Sequence, residues 1–125
     1  MSYRSPLGRA RGLGSAKQGT HHFWIQRVTA VALIPLTLWF VFSLARLPSA
    51  DFDAVSWWVA APSVAVALVL YIGCVLYHSQ LGVQVVIEDY VGSEGAKITA
   101  LLLSQFVHVI AGLAGVFAVL KIALA

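Results

Sequence analysis

Charge is what this sequence has least of. Only 10% of its 125 residues are Asp, Glu, Lys or Arg, against roughly 25% in an ordinary soluble domain. Three long stretches, Val28–Ala45, Trp57–Ile87 and Ile98–Leu120, hold no charge at all. A hydrocarbon layer about 30 Å thick is crossed by about 20 apolar residues in helix, and each stretch meets or approaches that length. Strands are excluded on physical grounds, because an open sheet edge leaves backbone groups unpaired in lipid and three spans cannot close a barrel. Cysteine is scarce too. Cys74 stands alone, so there is no internal disulfide and no cysteine set for an iron–sulfur cluster; inside an apolar run it reads as a small packing residue. Flavin and nucleotide motifs are missing, and so is any internal repeat. The expected fold is an all-α membrane protein with three transmembrane helices.

What charge there is lies mostly at one end. Residues 1–20, "MSYRSPLGRARGLGSAKQGT", carry Arg4, Arg9, Arg11 and Lys17 and no acid. The stretch lacks the short apolar core and cleavage site of a signal peptide, although it is Arg-rich and acid-poor as transit peptides are. It reads as an irregular arm on the membrane surface, whose partner is lipid and not nucleic acid. Residues 21–125 form the membrane domain, with helices expected at about 23–47, 62–89 and 96–124. Trp24, Trp39 and the Trp57–Trp58 pair suit interfacial belts. Pro35 should kink the first span, and Pro62 suits a first helical turn. Gly92 and Gly95 are expected to end the second helix and turn the chain. Residues 46–58 read as a loop with Arg46, Asp51 and Asp53. Six of the eight basic residues share the side of the N-terminus and the second connection, which favours a cytoplasmic N-terminus and an outer C-terminus. His21, His22, Arg27, Asp89 and Tyr90 then gather near the cytoplasmic face.

Two histidines lie at membrane depth, where an ionisable side chain is costly and marks function by default. His78 shares a helical stripe with Tyr71, Gly82 and Asp89. Gly82, one turn on, leaves bare backbone beside the imidazole, room for a flat macrocycle. His78 is thus either an interhelical hydrogen bond that fastens the bundle or an axial ligand to haem iron. His108 shares its face with Ser104, Gly112 and Gly115, a small-residue stripe suited to close packing. The two histidines are not expected to share one iron. Two imidazoles on opposite faces of a haem hold their helices well beyond the roughly 8–10 Å of direct neighbours, and a short turn makes these helices neighbours. Three helices also cannot enclose a macrocycle, so a partner membrane chain is expected to supply the second ligand.

The motifs "HHFWIQRVTAVAL", entering the first span, and "HSQLGVQVVIEDY", with His, Gly, Asp and Tyr spaced H-x3-G-x6-D-Y, resemble the hydrophobic membrane anchor (D-type) subunit of succinate dehydrogenase, of the alphaproteobacterial kind. The resemblance runs from about Ser15 to the end of the third span. Where the sister C-type subunit carries an Arg-His pair after the glycine, this chain has Gln84-Val85. The resemblance implies a chain that, with a C-type anchor subunit, holds one haem b and docks iron–sulfur and flavoprotein subunits at the bacterial inner membrane, passing electrons from succinate to ubiquinone. It makes His78 the axial haem ligand, Tyr90 the hydrogen-bond donor to a quinone carbonyl and Asp89 its acidic neighbour. It places Arg27 and His21 near the haem propionates, while His22 stands where some relatives have an acid. The dicarboxylate chemistry belongs to the partners.

The same residues admit other readings: the anchor of a fumarate reductase-type complex, or a scaffold or assembly protein whose histidines only pack helices. A transporter fits less well, since only Pro35 hints at the broken helices and midplane charges such proteins use. Glu88 reads as an ordinary interfacial residue.

Overall fold

The computed structural model describes Leu7 and residues 17–125. Most of the expected arm therefore lies outside the described residues, and its last four positions, 17–20, form the first turn of a helix. Four helices follow in order: α1 (Lys17–Ala45), α2 (Phe52–Ala60), α3 (Pro62–Tyr90) and α4 (Glu94–Ala123). Thr20–Ala45, Pro62–Tyr90 and Glu94–Ala123 are each long and apolar enough to cross a membrane. The described residues contain no strand. The chain is an all-α, multi-pass membrane protein, as its charge pattern required.

The three long helices run antiparallel in sequence, with α3 in the middle. It packs on α1 along one side and on α4 along another, whereas α1 and α4 do not pack on each other. The α3–α4 seam is close because glycines line it. A Cβ added at Gly112 would stand 3.4 Å from Leu76 Cδ1, and one at Gly115 would stand 3.4 Å from two atoms of Ile72. Small residues let membrane helices approach in this way, which is the role expected for the His108 face. α1 continues through Pro35 without a break in the helix.

Two local expectations are corrected. The connection between the first two spans is not all loop, since α2 (Phe52–Ala60) fills its second half. Asp51 caps that helix, accepting from the Ala54 amide at 2.8 Å and from the Ser49 hydroxyl at 2.6 Å. An acid or serine before an apolar run is an N-cap signal that the length of the spans had overshadowed. Secondly, glycine does not end α3. Val91 does so in extended conformation (φ −92°, ψ 106°), Ser93 caps α4 by accepting from the Ala96 amide at 3.3 Å, and Gly95 lies inside the first turn of α4.

The buried core sits at the α2 end. Val59, Ala65, Leu68 and Val119 form it, with Trp39, Phe40 and Trp58 packed around them. Trp58 turns inward and stacks on Trp39 (centroids 6.1 Å, 24°), and Phe40 stacks on Tyr71 (4.9 Å, 28°). Trp57 remains exposed, as a belt residue should. At the opposite end, where α1 begins and α3 gives way to α4, burial falls away and most side chains are exposed.

Leu68→Ala should destabilise the α2 end by about 2 kcal/mol, the low side of the range for core truncation, since lipid is as apolar as the core and only packing is lost; unfolding of the purified assembly reads this. Asp51 offers a second check. The Ser49 hydroxyl, and after it the Ala54 amide, hold its carboxyl below the usual 3.8. Both bonds favour the charged form, so the cap is intact above that value and is lost as pH falls through the lowered pKa. Amide exchange at Ala54 should accelerate on that descent, and Asp51→Ala should show the faster exchange already at neutral pH.

Candidate functional site

His78 sits where α3 meets α1. Its Nδ1 lies 3.0 Å from Thr29 Oγ1. The same hydroxyl donates to the Ile25 carbonyl at 2.9 Å and lies 3.1 Å from that of Gln26. A hydroxyl has one proton. With that proton on the helix carbonyl, Thr29 accepts from Nδ1 and Nε2 keeps its lone pair; with the proton donated to Nδ1, the ring hydrogen moves to Nε2. One turn further along, a Cβ at Gly82 would meet nothing within 4 Å. The site thus offers an imidazole oriented through Nδ1, with open space one turn along the helix. The same arrangement orients histidines that ligate metals, so the residues fit an iron-bound macrocycle. Thr37 and Tyr71, 3.5 Å apart through their oxygens, repeat the contact two turns away and fix the α1–α3 register.

His108 is engaged differently. Its Nδ1 lies 2.7 Å from the Ser104 carbonyl and can only donate there, while Nε2 lies 3.2 Å from Ser79 Oγ and accepts. Both ring nitrogens are therefore occupied in the α3–α4 seam. His78 and Ser79 are consecutive, about 100° apart on α3, so the two imidazoles address different neighbours and do not converge. This agrees with the argument from interhelical spacing.

The remaining candidates collect at the open end, and no hydrogen bond or ion pair joins them among the described residues. Asp89 and Tyr90 close α3, and Tyr90 is 84% exposed. Arg27 is exposed, with its guanidinium carbon 5.1 Å from the centre of the Phe23 ring. His21 is exposed, whereas His22 is half-buried and its Nε2 is buried without a hydrogen-bond partner. Seven residues before Thr29, His22 shares the side of α1 that faces α3. Of the two neighbouring imidazoles it is therefore the inward one, a distinction that the resemblance alone did not draw. Glu88 accepts from Gln84 Nε2 at 2.8 Å one turn away and behaves as a surface residue. No group of three His, Cys, Asp or Glu among the described residues could hold a metal ion. A metal here would have to come with its own ligand frame, as haem iron does.

Sequence reading missed Thr29 and Ser79, the hydroxyls that orient the two histidines. Their signal, a hydroxyl inside an apolar run, is faint because threonine and serine also satisfy their own helix.

The profile of the family described as succinate dehydrogenase/fumarate reductase transmembrane subunit matches residues 1–119. The chain belongs to this family. Within it, the chain is similar to the succinate dehydrogenase hydrophobic membrane anchor subunit of Rickettsia bellii, 31% identical over 117 residues that make up 94% of each chain. The corresponding subunit of Paracoccus denitrificans is 34% identical over 90 residues, 72% of this chain and 70% of that one. The succinate dehydrogenase membrane anchor subunit of Reclinomonas americana is 28% identical over 104 residues, 74% of this chain and 80% of that one. The resemblance carried by the two histidine motifs therefore extends over most of the chain, as a membrane anchor subunit of the alphaproteobacterial type.

For this family member, the His108–Ser79 bond is expected to be structural. A double-mutant cycle with His108→Ala and Ser79→Ala should give a coupling of about 0.6 kcal/mol, and no more than about 1.7. Additive losses would remove the bond from the account of the seam.

Proposed function

We propose that this chain is the membrane anchor of a succinate:quinone oxidoreductase, respiratory complex II, in which His78 is an axial ligand of haem b and the Asp89–Tyr90 end of α3 lines the ubiquinone site. The observation that carries this reading is the His78–Thr29 contact, which engages Nδ1 alone and stands one turn from the open flank of Gly82. His108, by contrast, has both ring nitrogens bonded.

When bound, haem supplies a one-electron carrier whose potential follows its axial ligands and their hydrogen bonds. The chain's own residues do the rest. Thr29 fixes the plane of His78. A second, C-type anchor chain would supply the other protein ligand and close the cage that three helices leave open. Arg27, with His21, lies toward the cytoplasmic face, where a guanidinium can pair with propionate carboxylates. Tyr90 donates a hydrogen bond from its phenol O–H to a quinone carbonyl oxygen. That oxygen gains negative charge on reduction, so the bond strengthens as the reaction proceeds. Asp89 orients the phenol or relays a proton from water. Two electrons and two protons are consumed per quinone, and no dicarboxylate site is needed here. Succinate oxidation belongs to a flavoprotein subunit, and iron–sulfur centres on another subunit lead the electrons in, both docked on the cytoplasmic side of the bacterial inner membrane. The exposed open end and the basic residues around it support that docking. The family description also covers fumarate reductases. A fumarate-reducing anchor is thus the second reading, and the succinate dehydrogenase relatives favour the first.

In the purified complex, His78→Ala should abolish the reduced b-type haem spectrum; a normal spectrum in that variant would end the ligand assignment. Thr29→Val should weaken haem retention roughly tenfold, as losses of such orienting partners do, while Thr29→Ser keeps it. Tyr90→Phe should slow quinone reduction roughly 10- to 100-fold, the size of one charge-assisted hydrogen bond, and spare electron transfer from succinate to a soluble dye. Equal loss of both activities would remove Tyr90 from the quinone site.

A further inference from the structure

At the end of the molecule opposite Tyr90 lies a groove that neither the haem nor the quinone reading uses. It runs between α2 and the last two turns of α4 and has a volume of ≈ 610 Å³. Its floor is apolar. Ala60 and Ala118, which line it, are neighbours in sequence of the core residues Val59 and Val119. Three hydrogen-bond donors line the same groove: the Ser56 hydroxyl, the Trp57 indole N–H and the Lys121 ammonium. None of these side chains has a hydrogen-bond or ion-pair partner among the described residues. Ser56 is the telling one. A serine inside a helix commonly bonds a carbonyl one turn back, and this one does not.

Depth limits what can reach the donors. The α2 helix opens on Asp51 and Asp53, which belong in water, and Lys121 stands in the last turn of α4. The donors therefore lie at the membrane edge, and the exposed Trp57 suits that belt. Ala118, one turn before Lys121, lies nearer the hydrocarbon. The acids nearby do not neutralise the lysine. Asp51 is committed to the cap of α2, and Asp53 does not line the groove. Lys121 is thus the charged side chain of a groove that is polar at its rim and apolar below. A lysine that serves only the end of its own helix, or that only reaches for water, needs no such groove beside it.

We propose that the groove holds one anionic phospholipid, with its phosphate on Lys121, Ser56 and Trp57 and an acyl chain along Ala60 and Ala118. A phosphodiester carries acceptors only, which suits a rim made of donors, and an ammonium strengthens the bond it gives to such an anion. Free phosphate leaves the apolar floor uncovered. A zwitterionic lipid brings its own cation beside the phosphate, in competition with Lys121, so a net negative headgroup fits better. The inference does not depend on haem or quinone being present.

The test uses the intact complex in phosphatidylcholine nanodiscs doped with phosphatidylglycerol or phosphatidylcholine carrying a diazirine in one acyl chain. After irradiation, peptide mass spectrometry should find adducts on residues 52–60 and 118–125. They should be about fivefold more abundant with phosphatidylglycerol, the attraction of one lysine for anionic lipid. Lys121→Gln should bring the two lipids level, and Lys121→Arg should keep the preference. Ala118→Leu, which fills the floor without changing charge, should reduce labelling by both. Absence of adducts on both segments, equal labelling of the unaltered complex by the two lipids, or a preference that survives Lys121→Gln would each overturn the proposal. The haem spectrum of the same samples reports on His78 separately.

Discussion

Hydrocarbon offers no hydrogen bonds, so a polar side chain at depth must find its partner on a neighbouring helix. In this chain the neighbour is α3. Thr37 meets Tyr71 and Thr29 meets His78 across one side of it, and His108 meets Ser79 across another. Because α1 and α4 do not pack on each other, these contacts, the aromatic stack at Trp39–Trp58 and the glycine-lined seam hold the described chain together. α3 is therefore both the structural axis and the element that carries the proposed haem ligand and quinone residues.

The consequence is an uneven molecule. Its packed core lies at the α2 end, while His21, His22, Arg27, Asp89 and Tyr90 lie at the other, where side chains are open. A chain built this way is stable at one end and incomplete at the other. That is a reasonable division for a membrane anchor, which must hold its place in lipid and still offer a surface to larger partners. It also explains why so few residues are buried. Three helices in a bent row enclose little, and the surfaces they leave exposed are apolar enough for lipid or for other membrane helices.

His78 and His108 show how two identical residues at similar depth acquire different roles. Each is held through Nδ1, one at a threonine hydroxyl and the other at a backbone carbonyl. The difference lies at Nε2. Ser79 closes the ring of His108, and the glycine flank beside His78 stays clear. One hydroxyl's position separates a fastening residue from a candidate ligand, and neither composition nor spacing reports it.

Much could be read in the amino-acid order. The uncharged runs required three membrane helices because the cost of burying charge in lipid leaves no alternative. The stripe of Tyr71, His78, Gly82 and Asp89 followed from helical periodicity, and the family followed from motifs that survive in order along the chain. Helix α2 escaped notice because a nine-residue capped helix beside three long spans resembles a connecting loop. Only the folded arrangement decided which neighbour each side chain meets: Thr29 for His78, Ser79 for His108, an inward face for His22 and an outward one for His21. Periodicity places a residue on a face, but which helix lies opposite that face depends on packing between segments far apart in the chain, and that is settled only when the helices come together.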